Sequence, residues 1–208
     1  MRPVARDPFE SVGDEVLMRR YQHGDAAAFA ALMRRHLNGV YNFLARHVGG
    51  RSAVAEDLAQ EVFLRVVERA REFKHEARFS TWLYTIARNL AIDHLRKASL
   101  RRHPSLDETH PVTGSTLGER VVDAHPTASG ERMAAASELA GRIDQALDTL
   151  PEEQREVFLL REVARLPFQE IAAITGAPEN TVKSRMRYAL ERLQQGLEDY
   201  ADEARSLR

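Results

Sequence analysis

The chain has 208 residues, enough for one or two small domains, and 43% of them are hydrophobic, an ordinary share for a globular protein. With 30 Lys and Arg against 31 Asp and Glu, the formal net charge is −1, so any affinity for nucleic acid has to come from local clustering. There is no cysteine, which excludes disulfides, thiolate metal sites and thiol-based sensing within the chain. The N-terminal stretch MRPVARDPFESVGDE has no signal-peptide apolar core, and the longest apolar run, Ala26 to Met33, is far too short for a bilayer. No stable membrane insertion and a cytoplasmic location are therefore expected.

In chain order, residues 14 to 22 form the first expected helix, and Gly24-Asp25 breaks it while offering a capping carboxylate. The second helix, over 26 to 48, places Phe29, Leu32, Met33, Leu37, Val40, Tyr41 and Leu44 on its buried side before Gly49-Gly50 ends it. A third, capped by Ser52 and running to Arg71, buries Leu58, Val62, Val66 and Ala70. In a fourth, capped by Ser80, the core stripe is Trp82, Leu83, Ile86, Ala87 and Leu90, a spacing that favours a core role for Trp82 over a stacking platform. No segment alternates as a strand does, so the expected fold class is all-α.

Charge is distributed unevenly through the middle of the chain. From Arg88 to Arg102 there are five cations (Arg88, Arg96, Lys97, Arg101, Arg102) against one acid, Asp93, which makes a basic patch and a candidate nucleic-acid contact. From Pro104 to Glu138 six acids face two arginines, among scattered prolines and glycines and without a sustained apolar period. A loop of that length is unusual inside one domain, so residues 103–136 read as a flexible linker between two small helical domains. Extended at roughly 3.3 Å per residue, it could reach on the order of 100 Å. Its acids could also fold back over the basic patch.

Beyond the linker, Leu150-Pro151-Glu152-Glu153 opens a helix with Pro and acids in its first turn, and Val157, Phe158 and Leu160 supply core. The run FQEIAAITGAPENTVKSRMRYALERL from Phe168 to Leu193 then reads as helix, tight turn, helix. Ile171, Ala172 and Ile174 form the apolar side of the first helix, Gly176 permits the reversal, and Val182, Met186, Ala189, Leu190 and Leu193 form a stripe on the second. The opposite side carries Asn180, Thr181, Lys183, Ser184, Arg185, Arg187 and Tyr188. A solvated helical hairpin has the same periodicity, but it usually alternates Glu with Lys, whereas Asn180 to Tyr188 holds three cations and no acid. Amides and hydroxyls that reach base edges, beside cations that hold phosphates, suit a helix lying in a DNA major groove. Arg185 and Arg187 are the leading candidates for a bidentate contact to guanine.

Together, AEDLAQEVFLRVVERAREF, FSTWLYTIARNLAIDHLRK and, past the linker, LPEEQREVFLLREVARLPFQEIAAITGAPENTVKSRMRYALERL resemble the two ordered modules of bacterial extracytoplasmic-function (ECF) sigma factors, within the sigma-70 superfamily. The resemblance covers residues 12–102 (region 2) and 137–197 (region 4). It implies a factor that binds core RNA polymerase, recognises promoter DNA, helps open the duplex, and is restrained by an anti-sigma factor. Carried over position by position, Asp57, Gln60 and Glu61 correspond to the polymerase-docking face of region 2. The loop before the fourth helix and that helix correspond to the reader of the minus-10 element, where a nontemplate base is unstacked. Arg88, Asn89 and Arg96 are expected to project away from the core stripe there; Asn89 suits a base edge, and Lys74, Arg78, Arg96, Lys97, Arg101 and Arg102 suit the strand's phosphates. The C-terminal helix-turn-helix corresponds to the minus-35 reader.

Catalysis is not expected. The eight histidines are scattered without metal-ligand spacing, and no phosphate loop or nucleophile motif accompanies the acid pairs Asp57/Glu61 or Glu152/Glu153. No cofactor is implied. The alternative is a stand-alone two-domain regulator that binds duplex DNA through the same C-terminal helices, which would require an effector pocket, dimer interface or phosphoacceptor in the N-terminal half.

Overall fold

A single carboxylate starts one helix and ties it to the helix before. Asp25 accepts from the amides of Ala27 and Ala28 at 3.1 and 3.2 Å, satisfying donors that the first turn of a helix leaves free. Arg20 holds that carboxylate at 2.7 Å. The computed structural model describes residues 8–49, 52–74, 76–101 and 141–206. Its elements are α1 (Asp14–Gln22), α2 (Ala26–His47), α3 (Ser52–Glu68), a 3-10 turn (Ala70–Glu72), α4 (Phe79–Arg101), α5 over 141–148, α6 (Glu152–Glu162), α7 (Phe168–Thr175) and α8 (Glu179–Ser206). The described residues contain helices and no strand, as the periodicity predicts. The linker at 103–136 lies outside them, and with it the acids expected to fold over the basic patch.

Two departures at helix ends have physical causes. The third helix stops at Glu68 and tightens into a 3-10 turn, because Gln22 of α1 donates its amide to the carbonyls of Ala70 and Phe73, at 2.7 and 3.0 Å. Ser80 is not the cap of α4. It lies inside the first turn, and the Phe79 amide donates instead to the Glu15 carboxylate at 3.0 Å, so α1 caps α4 from 64 residues away.

The N-terminal half packs α2 against α1, α3 and α4. Leu17, Met18, Leu32, Phe43, Leu44, Phe79 and Leu83 are fully buried, each worth about 1.5–3 kcal/mol over its exposed state. Phe73, Phe79 and Trp82 form an aromatic corner with centroids 5.3 to 6.2 Å apart, which gives Trp82 the core role its spacing predicts. Gly39 admits the buried Tyr84 against α2, since a Cβ there would stand 2.7 Å from the phenolic oxygen. Burial pushes that hydroxyl's pKa up to about 12. Met33 and Leu37, expected inside, are exposed. The buried seam of α2 runs through Leu32, Val40, Phe43 and Leu44, leaving these two beside it.

In the C-terminal half, α6 and α7 pack against α8, with Leu159, Leu160, Ile171, Val182, Met186, Ala189 and Leu193 buried. Leu190 departs from the expected stripe and is 49% exposed, because the adjacent Ala189 takes the inward position. The two halves are in contact. α6 lies on α2 and α7 on α4, so the buried apolar side chains form one continuous cluster.

Candidate nucleic-acid interface

The C-terminal turn is built by one left-handed residue. Gly176, at φ +72°, caps α7 with its N–H on the carbonyl of Ala172 at 2.9 Å, a conformation that costs a residue with a Cβ. Pro178 then accepts from the amides of Thr181 and Val182, at 2.9 and 3.0 Å, and starts α8. Because Val182, Met186, Ala189 and Leu193 face α6 and α7, the outward face of α8 carries Asn180, Lys183, Arg187 and Tyr188, with Thr181 and Ser184 at its half-buried margin. Ser184 donates its hydroxyl to the Thr181 carbonyl at 2.9 Å.

The three cations between Asn180 and Tyr188 differ in what they face. Lys183 meets Glu179 at 2.6 Å and Arg187 meets Glu191 at 3.7 Å, both one turn away and both exposed. Arg187 also lies 4.9 Å from the centroid of the Tyr188 ring. Arg185 turns toward α6 and donates to Glu153. Of the two arginines singled out for base contact, only Arg187 thus points away from the protein here.

In the N-terminal half, Lys74, Asn89, Arg96 and Lys97 are exposed on α4 or the loop before it. Arg78 is also mostly exposed, but its Nε lies 3.2 Å from the carboxylate of Glu170 on α7, which accepts the Thr81 hydroxyl as well. Arg88 points inward. Its Nε donates to Glu156 of α6 at 2.6 Å and its Nη2 at 3.4 Å, and Glu156 is only 6% exposed. Nothing in the sequence marked Glu156 and Glu170 as partners of the basic patch, since each is separated from it by the linker. The side chain of Arg101, and Arg102 altogether, lie outside the described residues.

Beside that pair sits His47, the last residue of α2, which is 1% exposed and stacks on Phe43 at 5.4 Å. Neither ring nitrogen has a hydrogen-bond partner. Burial, reinforced by the Arg155 and Arg88 charges, lowers its pKa to about 4, so the ring is neutral. Periodicity did not mark His47 because a lone histidine near a helix end carries no pattern.

On α3, Asp57 and Gln60 are exposed, and Glu61 is half-buried and ion-paired with Arg65 at 2.9 Å. Leu64 and Val67 continue this surface as exposed apolar residues, 57% and 42%, and no sequence signal singles them out. Among the described residues no group of His, Cys, Asp or Glu could hold a metal ion. No helix of the described residues is long and apolar enough to cross a membrane.

The family description "Sigma-70 region 2" matches residues 32–101, and "Sigma-70, region 4" matches residues 140–193. The chain is 32% identical over 191 residues to the RNA polymerase sigma-H factor of Pseudomonas aeruginosa, covering 92% of this chain and 97% of that protein. It is 34% identical over 187 residues to the ECF RNA polymerase sigma-E factor of Escherichia coli K12, covering 88% and 93%. Among solved structures, the fold is similar to that of CnrH bound to the cytosolic domain of CnrY, with a TM-score of 0.63, 24% identity, and coverage of 89% of this chain and 97% of that one. It is also similar to the sigma factor RpoE of Bartonella quintana in complex with the anti-sigma factor NepR, with a TM-score of 0.61, 23% identity, and coverage of 82% and 96%.

Proposed function

The chain belongs to the sigma-70 family of RNA polymerase sigma factors, in its ECF group, and from that membership we propose how its residues divide the work of promoter-specific initiation. As a sigma factor it binds core RNA polymerase and directs it to promoters. Residues 12–102 act as region 2 and residues 137–197 as region 4, with 103–136 as the tether between them. The observation that carries the division is the presence of both family segments, in order, on one chain. A stand-alone duplex-binding regulator has no use for region 2.

In this reading α8 enters the major groove at the minus-35 element. Asn180, Thr181, Ser184 and Arg187 face the bases, and Lys183, Arg185 and Tyr188 support the backbone contacts. The α4 face, with the loop before it, takes the nontemplate strand at the minus-10 element. Unstacking a base costs a few kcal/mol, so a donor and acceptor such as Asn89 must recover that cost by bonding the exposed edge, while Lys74, Arg78, Arg88, Arg96, Lys97, Arg101 and Arg102 hold phosphates. Asp57, Gln60 and Glu61 dock on the polymerase. The phosphodiester chemistry then belongs to the polymerase, and this chain is not itself an enzyme. It works in the cytoplasm, and an anti-sigma factor, as in the Bartonella quintana complex of the same fold, is its expected restraint.

Reconstituted transcription tests the reading. Purified chain added to core polymerase on a genomic fragment library should start RNA at a restricted set of promoters. Core binding without promoter-dependent initiation on any fragment would overturn it.

A further inference from the structure

We propose, on the reading of α4 and the turn before it as the binder of the nontemplate strand, that α1 sets the geometry of that turn. Glu15 and Gln22 are positioning residues that fix its two ends, and through them the seat of the unstacked minus-10 base. Gln22 donates to the carbonyls of Ala70 and Phe73, at 2.7 and 3.0 Å, where the chain enters the turn. Glu15 accepts from the amide of Phe79 at 3.0 Å, where the chain leaves it. The two side chains stand two helical turns apart on one face of α1, about 10 Å along its axis, with Met18 fully buried between them.

The turn is anchored at its base and open beyond it. Phe73 and Phe79 are buried, 4% and 0% exposed, with ring centroids 6.0 Å apart, while Lys74 and Arg78 beside them are exposed. A third tie comes from the same end of α1: Asp14 holds His36 of α2 at 2.7 Å, and the His36 ring packs edge-on with Phe79 at 5.4 Å. Water could satisfy the backbone groups at the two ends, but it would leave their spacing free. Two side chains of one rigid helix satisfy those groups and fix the spacing together. That spacing matters more for an extruded base than for a phosphate. A long lysine or arginine finds a phosphate by bending its stem, whereas a base edge is read only when its hydrogen-bond partners stand within about 0.5 Å of their places. In this arrangement α1 acts on the strand through the turn, without a contact of its own.

The test uses the full chain assembled with core polymerase and a single-stranded nontemplate oligonucleotide from a promoter selected in the reconstituted transcription. Beside it are copies in which each minus-10 base in turn is replaced by an abasic residue. With the wild-type chain, the copy lacking the unstacked base should bind about tenfold more weakly than the intact strand. Gln22→Met keeps the length of the side chain and removes its donor, and Glu15→Ala removes the acceptor. Each should reduce that ratio to about threefold or less by weakening the intact strand. Glu15→Gln keeps an oxygen acceptor and should keep the wild-type ratio. Val48→Ala, a buried change at the far end of α2, separates positioning from stability: it should lower the thermal unfolding midpoint and leave the ratio as it is. An undiminished ratio in Gln22→Met and Glu15→Ala overturns the positioning role and leaves the strand-binding reading intact. A ratio lost as fully in Glu15→Gln or Val48→Ala overturns that role too. A wild-type chain that prefers the intact strand to none of the abasic copies overturns the strand-binding reading, and the proposal with it.

Discussion

The two helices proposed to face DNA keep their cations in different ways. On α8, Lys183 and Arg187 pair with Glu179 and Glu191 of the same helix, in exposed i,i+4 contacts that water and salt weaken. On α4, Arg88 is bound by a buried acid from the other half of the chain. A local, exposed pair can exchange an acid for a phosphate by rotating side chains. A pair across the module boundary exchanges only when the modules part. The exposed cations of α8 can therefore exchange partners as they stand, as can Arg96 and Lys97 of α4, whereas Arg88 is held by the packing of α6.

The largest expected effect breaks the latched pair from one side. Arg88→Ala leaves Glu156 as a buried carboxylate without its partner, and should cost about 3–5 kcal/mol of stability in urea unfolding at neutral pH. Arg88→Ala combined with Glu156→Ala should recover most of that loss. A loss below about 1 kcal/mol for the single variant would make the pair resemble the exposed pairs of α8 and erase the contrast.

Acid should act on the same boundary. The folded-state pKa of His47 lies at about 4, below its ordinary value of 6.5, so the unfolded chain binds a proton that the folded chain does not. The neutral ring's contribution is fully present above about pH 6.5 and is lost as pH falls toward 4, on the order of 3 kcal/mol in all. Glu156 already engages Arg88 at 2.6 Å and is not free to receive the new cation. Unfolding midpoints measured from pH 7 to 4 should fall in the wild-type chain more than in His47→Phe, which keeps the aromatic contact with Phe43. Parallel curves would remove His47 from the boundary.

Arg187→Ala should weaken binding to a matched minus-35 duplex by about 1–3 kcal/mol in a titration, relative to a scrambled duplex. Equal loss on both would make it a phosphate contact. The smallest effect sharpens the comparison from the other side: Glu191→Gln should change stability by less than about 0.5 kcal/mol, because an exposed i,i+4 pair contributes little. A larger loss in thermal unfolding would show that the α8 pairs also restrain the fold.

Much of the architecture was legible because it is local. Asp25 caps the helix after it, Gly176 supplies the left-handed turn, and the apolar period places Leu32, Val40, Leu44, Val62, Leu83, Val182 and Met186 inside, where they are found. The misreadings share a cause. Ser80 has the chemistry of a cap, but the Glu15 carboxylate satisfies the Phe79 amide from another helix. Leu190, Met33 and Leu37 lie close to the apolar stripe, yet only neighbouring helices decide which edge of a stripe is covered. Within the site, the outward face of α8 was readable from spacing, while the inward turn of Arg185 was not, since Glu153 lies 32 residues earlier on α6.

By itself the sequence determined the all-α class, the two modules and their order, and the family, because helix periodicity, caps and ordered motifs act over a few residues or persist along a segment. Only the tertiary structure decided which charges meet. Arg88 and Glu156 are 68 positions apart, with the linker between them, and no local rule pairs them. Their 2.6 Å contact arises from how α6 lands on α2 and α7 on α4, because burial gives a cation a strong preference for whichever acid the packing delivers.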